Sequence, residues 1–337
     1  MCAAKSILLR LLSLVSLVSL VSATAVLGAC ANSPTVDDSD ARRIASMTYV
    51  VTGASSGFGR GVAVRLGALG ANVVLAARRT SLLEEVAQEV RRAGGNALPV
   101  TADVSRPQEV QQLMSAALAR FGKVDVWINN AGVGAIGPFA NIPLEDHARL
   151  VDVNLKGVIY GSHVALQHFR QRGSGTLVNI GSVESEVPLA YQASYAATKA
   201  GVLALDRALN EELRLAHLDA VRVATVMPWA ADTPFFVHAA NYSGRQPDMV
   251  ALDPPEKVVE AIVWTSVNPR EELPVGWKAF MAVAGHRWLP DLAERASGDV
   301  SHQVQMERSP PAPNGPGAIH QPINEGRGVS GRMRDRR

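Results

Sequence analysis

Thr52-Gly53-Ala54-Ser55-Ser56-Gly57-Phe58-Gly59 joins a short apolar run, residues 47–52, to a stretch of helical periodicity, residues 57–69. Three glycines in a loop signify little alone. Placed between a buried strand and a helix, each has a physical task. Gly53 allows the tight turn, Gly57 lets the backbone approach a pyrophosphate, and Gly59 lets helix and strand pack closely. Ser55, Ser56 and Phe58 fill out the turn. The free N–H groups at the helix start offer a site for phosphate charge. The pattern implies dinucleotide binding, with the spacing G-x-x-x-G-x-G rather than G-x-G-x-x-G.

Outward from this turn, strands and helices alternate. Strands are predicted at 47–52, 72–77, 97–101, 124–129, 176–180, 221–226 and 272–275. Helices are predicted at 57–69, 81–92, 107–121, roughly 144–171, 194–215 and 256–267. The strands are continuously apolar, as expected when helices cover both faces of a parallel sheet. Right-handed strand–helix units of this kind give an α/β, Rossmann-type doubly wound sheet of about seven strands. Ligands of such sheets bind at the carboxyl ends of the strands.

The chain of 337 residues is 47% hydrophobic and 19% charged, enough apolar content for a sizeable core. A formal net charge of +2 gives no reason to expect nucleic-acid binding. The two cysteines, Cys2 and Cys30, both lie near the N-terminus, which excludes a disulfide scaffold and a cysteine zinc site in the main domain. The ends differ from the middle. Lys5 and Arg10 precede an uncharged run, residues 11–31, that ends in Leu27-Gly28-Ala29-Cys30. It has the pattern of an export signal and resembles a bacterial lipoprotein signal with Cys30 as the lipidated residue. An uncleaved membrane anchor and a true start at Met47 are the alternatives. Residues 32–43 read as a polar linker, so that residues 1–46 precede a catalytic domain at 47–300. Residues 301–337 read as a disordered basic tail rich in Pro, Gly and Arg.

Four further motifs follow in order. Asn129-Asn130-Ala131-Gly132 ends the fourth strand; Asn154 lies in the long helix after it. Ser182 stands 13 residues before Tyr195, and Tyr195-Ala196-Ala197-Thr198-Lys199 gives Y-x-x-x-K. With the glycine turn, these resemble the short-chain dehydrogenase/reductase family over about residues 47–276. The resemblance implies a nicotinamide-dependent oxidoreductase that interconverts a carbonyl and an alcohol. Tyr195 would be its acid/base. Lys199, one turn on, would lower the phenol pKa and bond the nicotinamide ribose. Ser182 would polarise the substrate oxygen, and Asn154 would hold a relay water. By the same resemblance Asp103 and Val104 meet the adenine, and Pro228 and Thr233 the nicotinamide end. Asn130 is expected to bridge strands, beside Ala131 and Gly132 in the coenzyme wall.

The second strand ends in Ala76-Ala77-Arg78-Arg79. Ala77 stands where relatives that prefer NAD carry Asp, and Arg78 suits a 2′-phosphate, so NADP(H) is the expected cofactor. Arg79 reads as a solvated helix-start residue. Met227-Pro228-Trp229 departs from the family's Pro-Gly, which predicts a loop that bends differently and an indole walling the substrate pocket. Phe235, Phe236, His238, Asn241 and Tyr242 fall in the expected substrate lid. His238 reads as a surface histidine. Residues 277–289 read as an apolar helix packed on the domain or a partner. The apolar lid points to a hydrophobic carbonyl or alcohol substrate, and the resemblance to a homo-oligomer. The need for NADPH favours a cytoplasmic catalytic domain, with membrane attachment through the N-terminus or an exported lipoprotein as the alternatives. The rival function is a non-catalytic NADP(H)-binding sensor or scaffold on the same fold.

Overall fold

The computed structural model describes residues 33–333. The signal-like run and Cys30 lie outside the described residues. Seven strands form one parallel sheet: β1 (Thr48–Thr52), β2 (Asn72–Ala77), β3 (Asn96–Thr101), β4 (Val126–Asn129), β6 (Gly175–Ile180), β7 (Val221–Pro228) and β9 (Glu272–Val275). Their order is β3-β2-β1-β4-β6-β7-β9, so the chain reverses direction across the sheet between β1 and β4. Ligand crevices of doubly wound sheets open at that switch point. Two short strands, β5 (Ala135–Ile136) and β8 (Ala240–Asn241), pair with each other beyond the carboxyl ends.

Side chains of a strand alternate between the two faces. Tyr49 and Val51 enter a core under the helices Gly57–Ala68, Thr80–Arg92 and Pro255–Val267, with Leu66, Leu83 and Ile262. Val50 enters the opposite core, with Trp127, Leu113, Phe169 and Leu213, under Pro107–Phe121, Gly157–Arg172 and Ala193–Leu215. All seven predicted strands are present, with ends displaced by two residues at most. The predicted helix over 144–171 is interrupted: Leu144–Val151 passes through a π-helical turn, Asp152–Lys156, into Gly157–Arg172.

The linker expected at 32–43 is corrected by a short helix, Asp38–Ile44. Asp37 caps it, accepting from the N–H groups of Ser39 at 2.8 Å and Asp40 at 2.9 Å. The carbonyl of Val267 accepts from the Arg43 guanidinium, Asp40 accepts from Asn268 at 2.8 Å, and Ile44 is fully buried in the first core. The polar composition that suggested a linker is the outer face of this helix. The folded unit therefore begins before Met47. Replacing Ile44→Ala is expected to cost ~2–5 kcal/mol, as for other buried aliphatic truncations, and thermal denaturation of the full chain reads it as a lowered Tm.

A buried polar ladder crosses β4, β6 and β7. Asn129 Nδ2 donates to Asn179 Oδ1 (2.8 Å), Asn179 Nδ2 to Asp206 Oδ1 (2.6 Å), and Thr225 Oγ1 to Asp206 Oδ2 (2.6 Å). Burial pushes the Asp206 carboxyl up to about 7, against the two hydrogen bonds that favour its charged form. Its folded pKa thus exceeds its unfolded one. The stability it contributes is present in full below pH ~4 and is lost as pH rises toward 7. Denaturation profiles of wild type and Asp206→Asn are expected to converge in favour of the variant over that window. A constant difference between them would contradict this.

The helix Gly276–Trp288 buries Ala279 and Val283 but leaves Trp277 and Trp288 largely exposed. No helix among the described residues is long and apolar enough to cross a membrane.

Candidate active site

The glycine turn meets the geometry its sequence demands. Gly53 (φ +67°) and Gly57 (φ +55°) are left-handed, and a Cβ on Gly59 would lie 2.3 Å from the Gly53 carbonyl oxygen. Beside the turn, Asn130 Nδ2 donates to the Thr52 carbonyl at 2.8 Å, and the N–H groups of Asn130 and Ala131 donate to Thr52 Oγ1 at 3.0 and 3.1 Å. Asn130 thus bridges β1 and β4, as expected from the sequence.

Past the carboxyl ends of the strands lies a cavity of about 600 Å³. It is lined by Gly53, Ser55, Ser56, Gly57 and Phe58, by Arg78, Arg79, Asp103 and Val104, and by Ser182, Tyr195, Lys199, Pro228 and Thr233, whose Cβ lies 3.8 Å from the Cβ position on Gly57. Asn130, Ala131 and Gly132 line it as well. Of the residues singled out from sequence, Gly59 and Asn154 do not line it, nor do Asn241 and Tyr242 of the expected lid.

Asn154 is fully buried in the π-helical turn, a distortion that recurs at functional sites. Its Oδ1 accepts from the Val133 N–H, and its Nδ2 donates to the Val133 carbonyl, both at 2.8 Å, and to Thr198 Oγ1 at 3.2 Å. Ser182 caps the 3₁₀ turn Val183–Ser185, its Oγ accepting from the Glu184 N–H at 3.1 Å. The Ser182 hydroxyl stands close enough to the Tyr195 phenol to draw its pKa down. Lys199 follows one helical turn later. Its Nζ lies 5.6 Å from the centre of the Tyr195 ring and donates to the Ile180 carbonyl at 2.7 Å. The Phe235 ring stands 5.5 Å from that of Tyr195, and both residues line the cavity.

The electrostatics differ from the expected effect of Lys199. Burial and the nearby Glu184 carboxyl push the Tyr195 phenol above its ordinary value, while Ser182 draws it down less. Burial pushes Lys199 down and Glu184 up, and each opposes the other's shift. The site as it stands holds Tyr195 protonated.

Arg78 and Arg79, which line the same cavity, are half-buried, and among the described residues neither has a carboxylate at ion-pair distance. Burial lowers both, reinforced by Arg149 near Arg78 and by Arg78 near Arg79. Arg79 is not solvated as expected. It donates to Ser55 Oγ at 3.0 Å and Ser56 Oγ at 2.8 Å, stiffening the glycine turn. Asp103 Oδ2 pairs with Arg149 at 2.8 Å, and its Oδ1 accepts from Ser105. Two half-buried guanidiniums beside the glycine turn, with no carboxylate at ion-pair distance, are suited to hold anionic groups of a dinucleotide.

Trp229 takes no left-handed φ, so the strain expected from a missing glycine is absent. Trp229 is among the residues that line the cavity. His238 also lines it, and its Nε2 lies 3.0 Å from the Glu325 carbonyl; it is not a plain surface histidine. Arg149 and Glu184 were not singled out from sequence. Nothing marks Arg149 in the chain, whereas Glu184, two residues after Ser182, had a legible position.

The tail corrects the expectation of disorder. The helix Pro290–Ser301 runs on into a π-helical turn, His302–Arg308, and residues 309–333 lie against the domain. Composition misleads here because the tail's order comes from backbone carbonyls held by side chains rather than from periodicity. Arg78 donates to the carbonyls of Ala318 (2.8 Å), Ile319 (3.2 Å) and His320 (2.7 Å), and Arg79 to that of Ile323 (3.2 Å). The Gly57 N–H donates to the Gly328 carbonyl at 2.9 Å. Ile319 is fully buried, and His320 contacts Asp146 at 2.7 Å.

This geometry agrees with what the chain is similar to. The sequence profile described as short chain dehydrogenase matches residues 47–241. An uncharacterized oxidoreductase, YxnA, of Bacillus subtilis (strain 168) is 31% identical over 282 residues, 83% of this chain and 79% of that protein. Among solved structures, an alcohol dehydrogenase from the archaeon Thermococcus sibiricus complexed with 5-hydroxy-NADP is 28% identical, with a TM-score of 0.59 over 68% of this chain and 95% of that one. A 3-ketoacyl-(acyl-carrier-protein) reductase from Brucella melitensis complexed with NADH is 31% identical, with a TM-score of 0.60 over 68% and 96% of the two chains. A parallel sheet in this strand order, the glycine turn at its switch point and matches of this extent have one meaning: the chain belongs to the short-chain dehydrogenase family of nicotinamide-dependent oxidoreductases.

Proposed function

We propose that the protein is an NADP(H)-dependent reductase of a carbonyl compound, or in reverse a dehydrogenase of the corresponding alcohol, with Tyr195 as acid/base. One observation carries the reading. Ser182, Tyr195 and Lys199 line the same cavity as the glycine turn, Arg78 and Arg79. When bound, the coenzyme supplies or takes up the hydride. The chain's residues do the rest. Arg78 holds a 2′-phosphate, with Arg79 fixing the turn beside it. Ser182 donates to the substrate oxygen and stabilises the charge that develops there. Tyr195, kept protonated by burial, gives that oxygen its proton. Lys199 then steadies the phenolate, and Asn154, tied to Val133 and Thr198, holds the helix in place for both. In oxidation each proton moves the opposite way.

The experiment is a panel of ketones and alcohols with NADPH, NADH and their oxidised forms, read at the nicotinamide absorbance. The expected result is turnover with a preference for the phosphorylated coenzyme. No turnover with either coenzyme, despite measurable coenzyme binding, would favour a sensor instead.

A further inference from the structure

Residues 318–328 present a row of backbone carbonyls to two arginines and to the glycine turn. Arg78 donates to the carbonyls of Ala318, Ile319 and His320, and Arg79 to that of Ile323. The Gly57 N–H, first of the helix after the turn, donates to the Gly328 carbonyl. Ala318, Pro322 and Ile323 line the cavity themselves. These are the donors that a dinucleotide's phosphates need.

A donor that serves a carbonyl is not open to a phosphate. Three carbonyl oxygens gathered on one guanidinium also direct partial negative charge at the place a 2′-phosphate would take. Arg78 therefore holds the tail or the phosphate, not both. The phosphate carries full charge and makes the stronger bond. The tail's own grip is light. No residue of 320–333 is buried, and none lies in a helix or strand. Its firmest point is Ile319, fully buried beside Ile142 and Leu150. The N–H groups of Ala318 and Gly331 donate to the carbonyls of His238 at 2.8 Å and Asp232 at 3.1 Å. A segment with so few buried apolar contacts opens at low cost.

We propose that residues 318–331 are an autoinhibitory strap, which occupies the phosphate donors of the site and which NADP(H) displaces. This rests on the coenzyme site of the reading above. The strap weakens coenzyme binding by the fraction of chains in which it stands open. With about one chain in ten open, or fewer, the observed Kd lies about tenfold or more above that of the open site.

Gly326 supplies the test. Its φ is +65°, and a Cβ there would lie 2.6 Å from His238 Nε2 and 2.8 Å from the Pro234 Cβ. Gly326→Val in the full chain therefore unseats the strap, while every residue assigned to coenzyme or substrate stays as it is. Fluorescence titration with NADPH is expected to give a Kd about tenfold or more below that of the wild type. In the wild type, NADPH is expected to speed hydrogen exchange across 318–331, where the N–H groups of Ala318 and Gly331 lose their acceptors. An unchanged or higher Kd in Gly326→Val, or unchanged or slower exchange of the segment with NADPH, overturns the strap and leaves the oxidoreductase reading intact. NADPH binding by neither protein overturns both.

Discussion

Tyr195→Phe is expected to lower kcat by ~10²–10⁴ while leaving the Kd for NADPH unchanged. The substitution removes one oxygen. The ring keeps its contact with Phe235 and its place one turn before Lys199, so the cavity wall persists. What is lost is the group that can hand a proton to the substrate oxygen. Burial holds that phenol above its ordinary value, which favours the protonated form that reduction uses. Stopped-flow single turnover with prebound NADPH separates the chemical step from binding. Retention of the full rate would remove Tyr195 from the chemistry.

Replacing Arg78→Leu is expected to cut the preference for NADPH over NADH by about 10- to 100-fold, the worth of a charge-assisted hydrogen bond in a half-buried place. The guanidinium is desolvated and repelled by Arg149, conditions under which a phosphate is a strong partner. The same substitution loosens the tail, because Arg78 holds the carbonyls of residues 318–320. That loosening acts on both coenzymes alike. The ratio of the two kcat/KM values therefore isolates the 2′-phosphate, whereas either value alone mixes the two effects. An unchanged ratio would assign the phosphate contact elsewhere.

The sheet and most of its helices were legible because buried parallel strands are continuously apolar and helix faces keep their period. The glycine turn was legible because Gly53, Gly57 and Gly59 each answer a steric need that no other residue meets. What the sequence concealed has identifiable physical causes. The helix Asp38–Ile44 is too short to show a period, and its capping Asp37 reads equally well as linker. The π-helical turn that carries Asn154 has no sequence signature, and the partners that hold Asn154 there, Val133 and Thr198, are brought to it by the fold. The tail looked disordered because its order depends on partners more than 200 residues away, Arg78 and Arg79 among them. The raised phenol of Tyr195 could not be anticipated either: the lysine four residues on was visible, but the burial of the phenol and the Glu184 carboxyl acting on it required the fold.

The most direct measurement is a crystal structure of the full chain with NADP⁺. The account predicts the 2′-phosphate on Arg78, the pyrophosphate on the N–H groups from Gly57 onward, and nicotinamide C4 facing the space beside the Tyr195 and Ser182 hydroxyls. Coenzyme bound away from this cavity, or a nicotinamide ring turned from Tyr195, would contradict it.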